Sequence, residues 1–378
     1  MKFSAVLPLF ASGLLLAAVA QPAAAQTAST PAAAIPVNDA EYVPLEQLRS
    51  FYKLLPLPGN KNENLRLFGN SGTTLTFGPG KKDLSIGGYR CLLSHPIRED
   101  GVGDLLISKV DMVKLIDPIL RPTYISDRRL VRTVVIDPGH GGYDIGTQGE
   151  TLKEAAFTLQ LARELRESLI KRGYTVVLTH EQDRHLSDQQ RIASANEADA
   201  AIFISLHLNS GRSDIKGIET YTAAPDQPGD KRRPAHKYDA ANTALAFALH
   251  SSLIATTEAT DGACRRAQYS ILNSADCPAV MLLLGYATNK EEEALLATQE
   301  YRTKLVTAIT EGIATFAVQL NPQATLAPAP EAEPEPPTPV KVEPPKPEPP
   351  KTKPKATPAK KKQTGTTRKR RSSNKRKK

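Results

Sequence analysis

Thr133-Val134-Val135-Ile136, followed at once by Asp137-Pro138-Gly139-His140-Gly141-Gly142, decides how the rest of the chain reads. A short apolar run rich in β-branched residues and closed by Pro and Gly is a buried strand ending in a tight turn. Downstream, Phe157, Leu161, Leu165 and Leu169 recur every four residues and predict an amphipathic helix over about 153–172. Tyr174–Leu178 reads as a second strand and Arg191–Asn196 as a short helix. Ala201–Ser205 reads as a third strand running on to His207, Val280–Leu284 as a late strand, and Glu291–Phe316 as a closing helix. Strands alternating with helices predict an α/β fold: a twisted, mostly parallel sheet with helices on both faces. In such sheets ligands bind beyond the carboxyl ends of the strands. This main domain is expected over 129–320.

Working toward the N-terminus, 42–128 reads as a small α+β module. Leu45, Leu48, Phe51 and Tyr52 have helical spacing. Thr74–Phe77 and Asp83–Ile86 alternate like short strands around Gly78-Pro79-Gly80, and Val110, Val113, Leu115 and Ile116 suggest a helix stopped near Pro118. Residues 26–41 read as a flexible leader rich in Ala, Pro and Thr. Residues 1–25 read as a secretory signal peptide: Lys2, an apolar stretch from Ala5 to Ala20, then Ala23-Ala24-Ala25. An exported protein in the periplasm or cell wall is therefore expected.

The formal net charge of +9 is unevenly spread. Segment 321–378 holds 16 Lys/Arg against 5 Asp/Glu and 14 of the 30 prolines, while the preceding 320 residues carry a net −2. That tail is expected to be disordered. The distribution excludes a basic nucleic-acid-binding fold. Lys360-Lys361-Lys362 and Arg368-Lys369-Arg370-Arg371 would neutralise phosphates as a physical capacity, but a secretion signal disfavours nucleic acid as the partner. Anionic wall polymers or a membrane surface suit an exported basic tail better.

Three residues carry the chemistry. His140 closes the first strand in the glycine-rich turn, Glu154 begins the long helix, and His207 ends the third strand. Each has an ordinary reading alone: a surface or core histidine, or a glutamate favoured by the helix dipole. Together, at element ends on one sheet edge, two histidines and a carboxylate make a Zn2+ site with an open position for water. A metal-bound water at such a site loses a proton near neutral pH and can attack an amide carbonyl that the metal polarises. The cysteines, Cys91, Cys264 and Cys277, form no C-x-x-C pattern, and their number argues against a disulfide framework. Spacing alone does not decide whether Cys264 and Cys277 pair.

The segment VVIDPGHGGYDIGT, Glu154 after it, then LTHEQDRHLSDQQRIASANEADAAIFISLHLN, closely resembles the zinc-dependent N-acetylmuramoyl-L-alanine amidases. The likeness continues through the CPAV strand to GYATNKEEEALLATQEYRTKL. It implies cleavage of the amide between N-acetylmuramic acid and L-alanine in peptidoglycan, with His140, Glu154 and His207 holding the zinc. Asp144, Arg191 and Asn209 also match the family pattern, either as substrate contacts or as structural hydrogen-bonding groups around the site. One departure stands out. In Pro278-Ala279-Val280-Met281-Leu282-Leu283-Leu284-Gly285-Tyr286 the family's general acid–base glutamate is replaced by Leu283. An impaired enzyme is expected, or alternatively a non-catalytic, zinc-containing peptidoglycan-binding or regulatory pseudo-amidase. Glu219, in Gly217-Ile218-Glu219-Thr220-Tyr221, is a candidate substitute carboxylate. The YVPLEQL start and LLISKVDMVKLIDPILRP end of the N-terminal module resemble, over a short span, the copper amine oxidase-like N-terminal domain. That implies a binding or spacing role.

Overall fold

The computed structural model describes residues 35–37, 40–57, 65–69, 72–126, 128–224 and 236–323. The expected signal peptide, most of the leader and all but the first residues of the expected tail lie outside them.

The N-terminal region contains β1 (Ile35–Val37), β2 (Ala40–Pro44), α1 (Leu45–Phe51), β3 (Leu55–Pro56), β4 (Leu65–Phe68), β5 (Thr74–Phe77), β6 (Asp83–Ile86), β7 (Tyr89–Leu92), β8 (Arg98–Glu99) and β9 (Leu105–Ser108). The helical segment predicted to stop near Pro118 is irregular. It runs as α2 (Lys109–Asp111), a π turn at Met112–Ile116 and α3 (Asp117–Leu120). Proline is tolerated in a first helical turn, where its missing N–H costs little, so Pro118 sits inside α3 and the helix ends at Arg121.

The main region contains β10 (Thr133–Pro138), α4 (Glu154–Lys171), β11 (Thr175–Leu178), α5 (Asp188–Glu197), β12 (Ile202–Asn209), β13 (Ile218–Ala223), α6 (Asp239–Thr257), β14 (Asp261–Ala267), α7 (Ser270–Asn273), β15 (Ala279–Tyr286), α8 (Lys290–Leu296) and α9 (Gln299–Leu320). The every-fourth-residue stripe behaves as its period demands: Phe157, Leu161, Leu165 and Leu169 are all buried. They join α6 and α9 side chains in one core against Val134, Ile136, Ile202 and Ile204. Val135, Phe203, Ala279, Met281 and Leu283 point to the other face, under Ile192 of α5 and Ile271 and Leu272 of α7. Two-residue alternation along fully buried strands thus feeds a core on each side of the sheet.

The sheet runs in the order β11-β10-β12-β15-β13-β14-β7-β6-β5-β4-β3. From β11 to β14 every neighbouring pair is parallel except β15–β13. The N-terminal strands divide between two sheets. The antiparallel meander β3–β7 joins the main sheet through a parallel β7–β14 contact, so the full sheet is mixed. Only β1, β2, β9 and β8 form a separate four-stranded sheet. Capping an edge with further strands satisfies backbone donors that would otherwise be a pairing hazard. β11 and β12 flank β10 on opposite sides, so the chain reverses its winding direction at β10. That is where an α/β sheet opens a crevice at its carboxyl edge.

Among the described residues, no helix is long and apolar enough to cross a membrane.

Candidate metal centre

His140 leaves the end of β10 with a φ of +65°, in the left-handed region that non-glycine residues rarely adopt. The neighbouring turn tolerates this because glycines surround it. A Cβ at Gly146 would lie 2.6 Å from the Glu154 carboxylate and 2.5 Å from the His140 ring, and one at Gly139 would strike the His207 ring. The glycine-rich turn is therefore a steric requirement of bringing three side chains to one point.

They do meet. Glu154, at the first position of α4 and 1% exposed, sends Oε1 to 3.2 Å from His140 Nε2 and 3.0 Å from His207 Nδ1. The candidate ligand atoms of the three residues lie within 4.8 Å of one another. The carboxylate is fixed by backbone donors: Thr147 N–H donates to Oε2 at 2.7 Å and Leu208 N–H to Oε1 at 2.8 Å. Burial alone would raise Glu154, but the hydrogen bonds from His140 and His207 outweigh it and hold the carboxyl below its usual range. The bond to Glu154 conversely raises His140 to about 9, with burial opposing and Asp144 adding to the rise. A divalent metal among the three groups would supply positive charge beside the same carboxylate.

Asp144 Oδ2 lies 2.9 Å from His140 Nδ1, and Gly146 N–H donates to Asp144 Oδ1 at 3.1 Å. An acceptor on one ring nitrogen fixes the tautomer and turns the other toward the cleft. Arg191 is buried behind the turn. It donates to Asp137 Oδ1 at 2.7 Å, to the Pro138 carbonyl at 2.6 Å and to the His140 carbonyl at 2.8 Å. Asp137 also accepts from Thr179 and Ser205 hydroxyls. Arg191 therefore clamps the backbone that carries His140. Replacing it with Met keeps the volume and leaves Asp137 without its counter-ion in a fully buried site. We expect a loss of about 3–5 kcal/mol, read as a lower denaturation midpoint at constant m-value.

Asn209 bonds to Glu219 and not to a member of the triad. It stands two residues beyond His207 on β12, where the pairing with β15 shifts register, and Asn209 Nδ2 donates to Glu219 Oε2 at 3.1 Å. Leu283 stands on β15 directly opposite His207 on one side and Glu219 on the other. Glu219 thus lies one strand beyond the leucine, on the same face. Its carboxylate is fully engaged: it accepts from Tyr221 at 2.8 Å, Tyr286 at 3.1 Å and Asn209, and pairs with Arg265 at 3.0 Å. Burial, reinforced by this carboxylate, pushes the Tyr286 hydroxyl up to about 12.

The three residues open onto a cleft of about 400 Å³, whose walls include Asp144, His185, Ser187, Arg191, Tyr269, Ile271, Met281 and Leu283. A second cleft of about 370 Å³, around Arg129, Asn196 and Asp276, contains none of the triad. Sequence reasoning missed several wall residues. His185 stacks at 4.4 Å on exposed Tyr143 at the rim. The Ser187–Gln190 capping box, which starts α5 at the cleft edge, had a legible S-x-x-Q signature.

The loop that delivers Glu154 is pinned from α8. Glu293 Oε1 accepts from Thr151 N–H at 2.6 Å, Leu152 N–H at 2.9 Å and the Thr151 hydroxyl at 3.1 Å. The Thr151 bond above all, against an opposing burial effect, holds its carboxyl down at about 2. A group depressed in the folded state stabilises fully above its unfolded value, near 4.3, and loses that contribution as pH falls toward its folded value. Glu293→Gln should therefore flatten the fall in stability between about pH 4.3 and 2, measured by denaturation at stepped pH. An unchanged acid limb would contradict the assignment.

The sequence profile described as N-acetylmuramoyl-L-alanine amidase matches residues 134–315. The uncharacterized protein YqiI of Bacillus subtilis is 30% identical over 182 residues, covering 48% of this chain and 83% of the relative. The probable cell wall amidase LytH of Staphylococcus epidermidis is 32% identical over 187 residues, 48% of this chain and 57% of the relative. This chain thus spans little more than half of LytH. The solved catalytic domain of CwlV, an N-acetylmuramoyl-L-alanine amidase from Bacillus (Paenibacillus) polymyxa var. colistinus, is 31% identical. That match covers 49% of this chain and 97% of the other, at a TM-score of 0.44.

Proposed function

The chain belongs to the N-acetylmuramoyl-L-alanine amidase family, and on that premise we propose that it is a zinc-dependent hydrolase of the amide between N-acetylmuramic acid and L-alanine in peptidoglycan. The observation that carries the reading is the convergence of His140, Glu154 and His207 at the carboxyl edge of the sheet, in an open cleft. Two imidazoles and one buried carboxylate are a donor set that suits zinc, with a side left open for substrate. Zinc held there supplies a Lewis acid for the amide carbonyl and lowers the pKa of water. The chain's own groups do the positioning. Asp144 holds His140 by Nδ1, two backbone N–H groups hold Glu154, and Arg191 holds the turn beneath them.

Proton transfer is the weak step. Leu283 faces the cleft and can neither take nor give a proton. Glu219 is already saturated by four partners, so recruiting it would require breaking that network. Loss of a positioned acid–base group slows a reaction by about 10²–10⁴-fold, so slow turnover is the reading. Leu283 and Met281 together give the cleft an apolar floor, and this favours a second reading: a zinc-containing pseudo-amidase that binds peptidoglycan without cleaving it. One assay separates them, release of free peptide from peptidoglycan by the zinc-loaded wild type and by Leu283→Glu. Release by the variant alone would end the claim of native activity.

Residues 1–25 support export to the periplasm or cell wall. The +11 segment 321–378 supports a tether to anionic wall polymers or a membrane surface. Removing it should weaken wall retention in a salt-dependent way and leave turnover of soluble substrate unchanged.

A further inference from the structure

Cys91 and Cys264 are far apart in sequence, yet Cys91 on β7 is the direct register partner of Cys264 on β14. Both are buried in the same core, with Leu84, Ile86, Leu115 and Ile116. Cys277 is buried in a different core, against Ala279 and Met281. The pairing that spacing left open, Cys264 with Cys277, is therefore not the one the fold brings together. The junction they occupy is narrow. Cys91–Cys264 is the only residue pair in register between β7 and β14 among the described residues, at the point where the N-terminal meander meets the main sheet. Around it, the Arg90 N–H donates to Asp261 Oδ2 at 2.8 Å, Arg90 NH1 donates to the Asp261 carbonyl at 3.0 Å, and the Tyr89 ring meets Phe247 edge-on at 6.2 Å.

We propose that Cys91 and Cys264 form a disulfide that covalently staples the N-terminal meander to the amidase sheet. Residues opposite one another on adjacent strands lie about 5 Å apart at Cα, inside the 4.4–6.8 Å range, roughly, that disulfides span. Oxidation removes one proton and one electron from each thiol. The two electrons reduce the disulfide of a thiol–disulfide exchange oxidase to its dithiol, and one S–S bond forms in the chain. The oxidant belongs to the exported compartment, and the proposal rests on the export reading for that alone. Burial and the neighbouring Cys91 push the Cys264 thiol well above its usual value. A buried, protonated thiol is a poor nucleophile, so exchange takes place before β7 has docked, and the folded core then shields the bond from reduction. A cross-link closing a loop of about 170 residues restricts the unfolded chain strongly.

The test uses the full chain exported to an oxidising compartment, denatured without reductant, alkylated and mapped by mass spectrometry. The expected result is alkylation of Cys277 alone, with the peptides of Cys91 and Cys264 linked and lighter by two hydrogens than their reduced sum. Alkylation of all three thiols, or a link involving Cys277, overturns the proposal. In parallel, reductant should lower the wild-type Tm by on the order of 10 °C and leave the Tm of Cys91→Ala unmoved. The reductant must act on denatured chain that is then refolded in its presence, because the folded core shields the bond; a wild-type Tm unchanged after that treatment overturns the proposal too. Peptidoglycan turnover enters neither readout, so failure here is separable from failure of the amidase reading.

Discussion

His140→Ala should lower zinc affinity by at least about 100-fold and reduce peptide release to background. Losing a group that only orients a metal ligand costs about 10–100-fold, and His140 is one of the three candidate donors that converge among the described residues. Its removal also leaves Asp144 without its imidazole partner and Glu154 with one contact fewer. The fold should survive, because His140 belongs to none of the hydrophobic cores and Arg191 grips its backbone carbonyl and not its ring. Titration with a chromophoric chelator gives the affinity, and circular dichroism checks the fold. A variant that bound zinc as tightly as the wild type would place the metal elsewhere.

Leu283→Glu should move activity in the opposite direction, by about 10²–10⁴-fold upward if the carboxylate gains a water within reach. Register makes this more than a guess by analogy. Leu283 lies opposite His207 and lines the cleft, so a glutamate there starts from the same strand position and face. The gain competes with a cost. Leu283 packs with Val135, Phe203 and Met281, and a carboxylate in that setting loses apolar burial and sits near Glu219. Stability should fall by about 1–3 kcal/mol while the rate rises. A rate unchanged in a folded, zinc-replete variant would mean that proton transfer does not limit this enzyme.

The triad was legible because each member sits where sequence marks an element end. His140 follows a β-branched run, Glu154 precedes an every-fourth-residue stripe, and His207 follows an apolar run that reads as ending there, although β12 continues to Asn209. Local periodicity placed the ends, and the parallel sheet then gathered them at one edge. Arg191 and Asp144 were visible as candidates, but their work was not. Only tertiary contacts reveal that one clamps the turn and the other orients a ring. Glu219 could be named as a spare carboxylate, yet its distance from the cleft depends on the antiparallel β13–β15 pairing, which leaves no local pattern. The same limit hid the β7–β14 junction. The strands read correctly as β5 and β6 in the N-terminal region carry no signal of joining a sheet whose next strand begins at Asp261.

Peptide release from purified peptidoglycan should be measured for the wild type, with zinc and after chelation, beside His140→Ala. The wild type should release peptide slowly, zinc should restore that release after chelation, and His140→Ala should lack it. No release from a folded, zinc-bound wild type, alongside release by Leu283→Glu, would contradict native turnover and leave a binding protein built on an amidase fold.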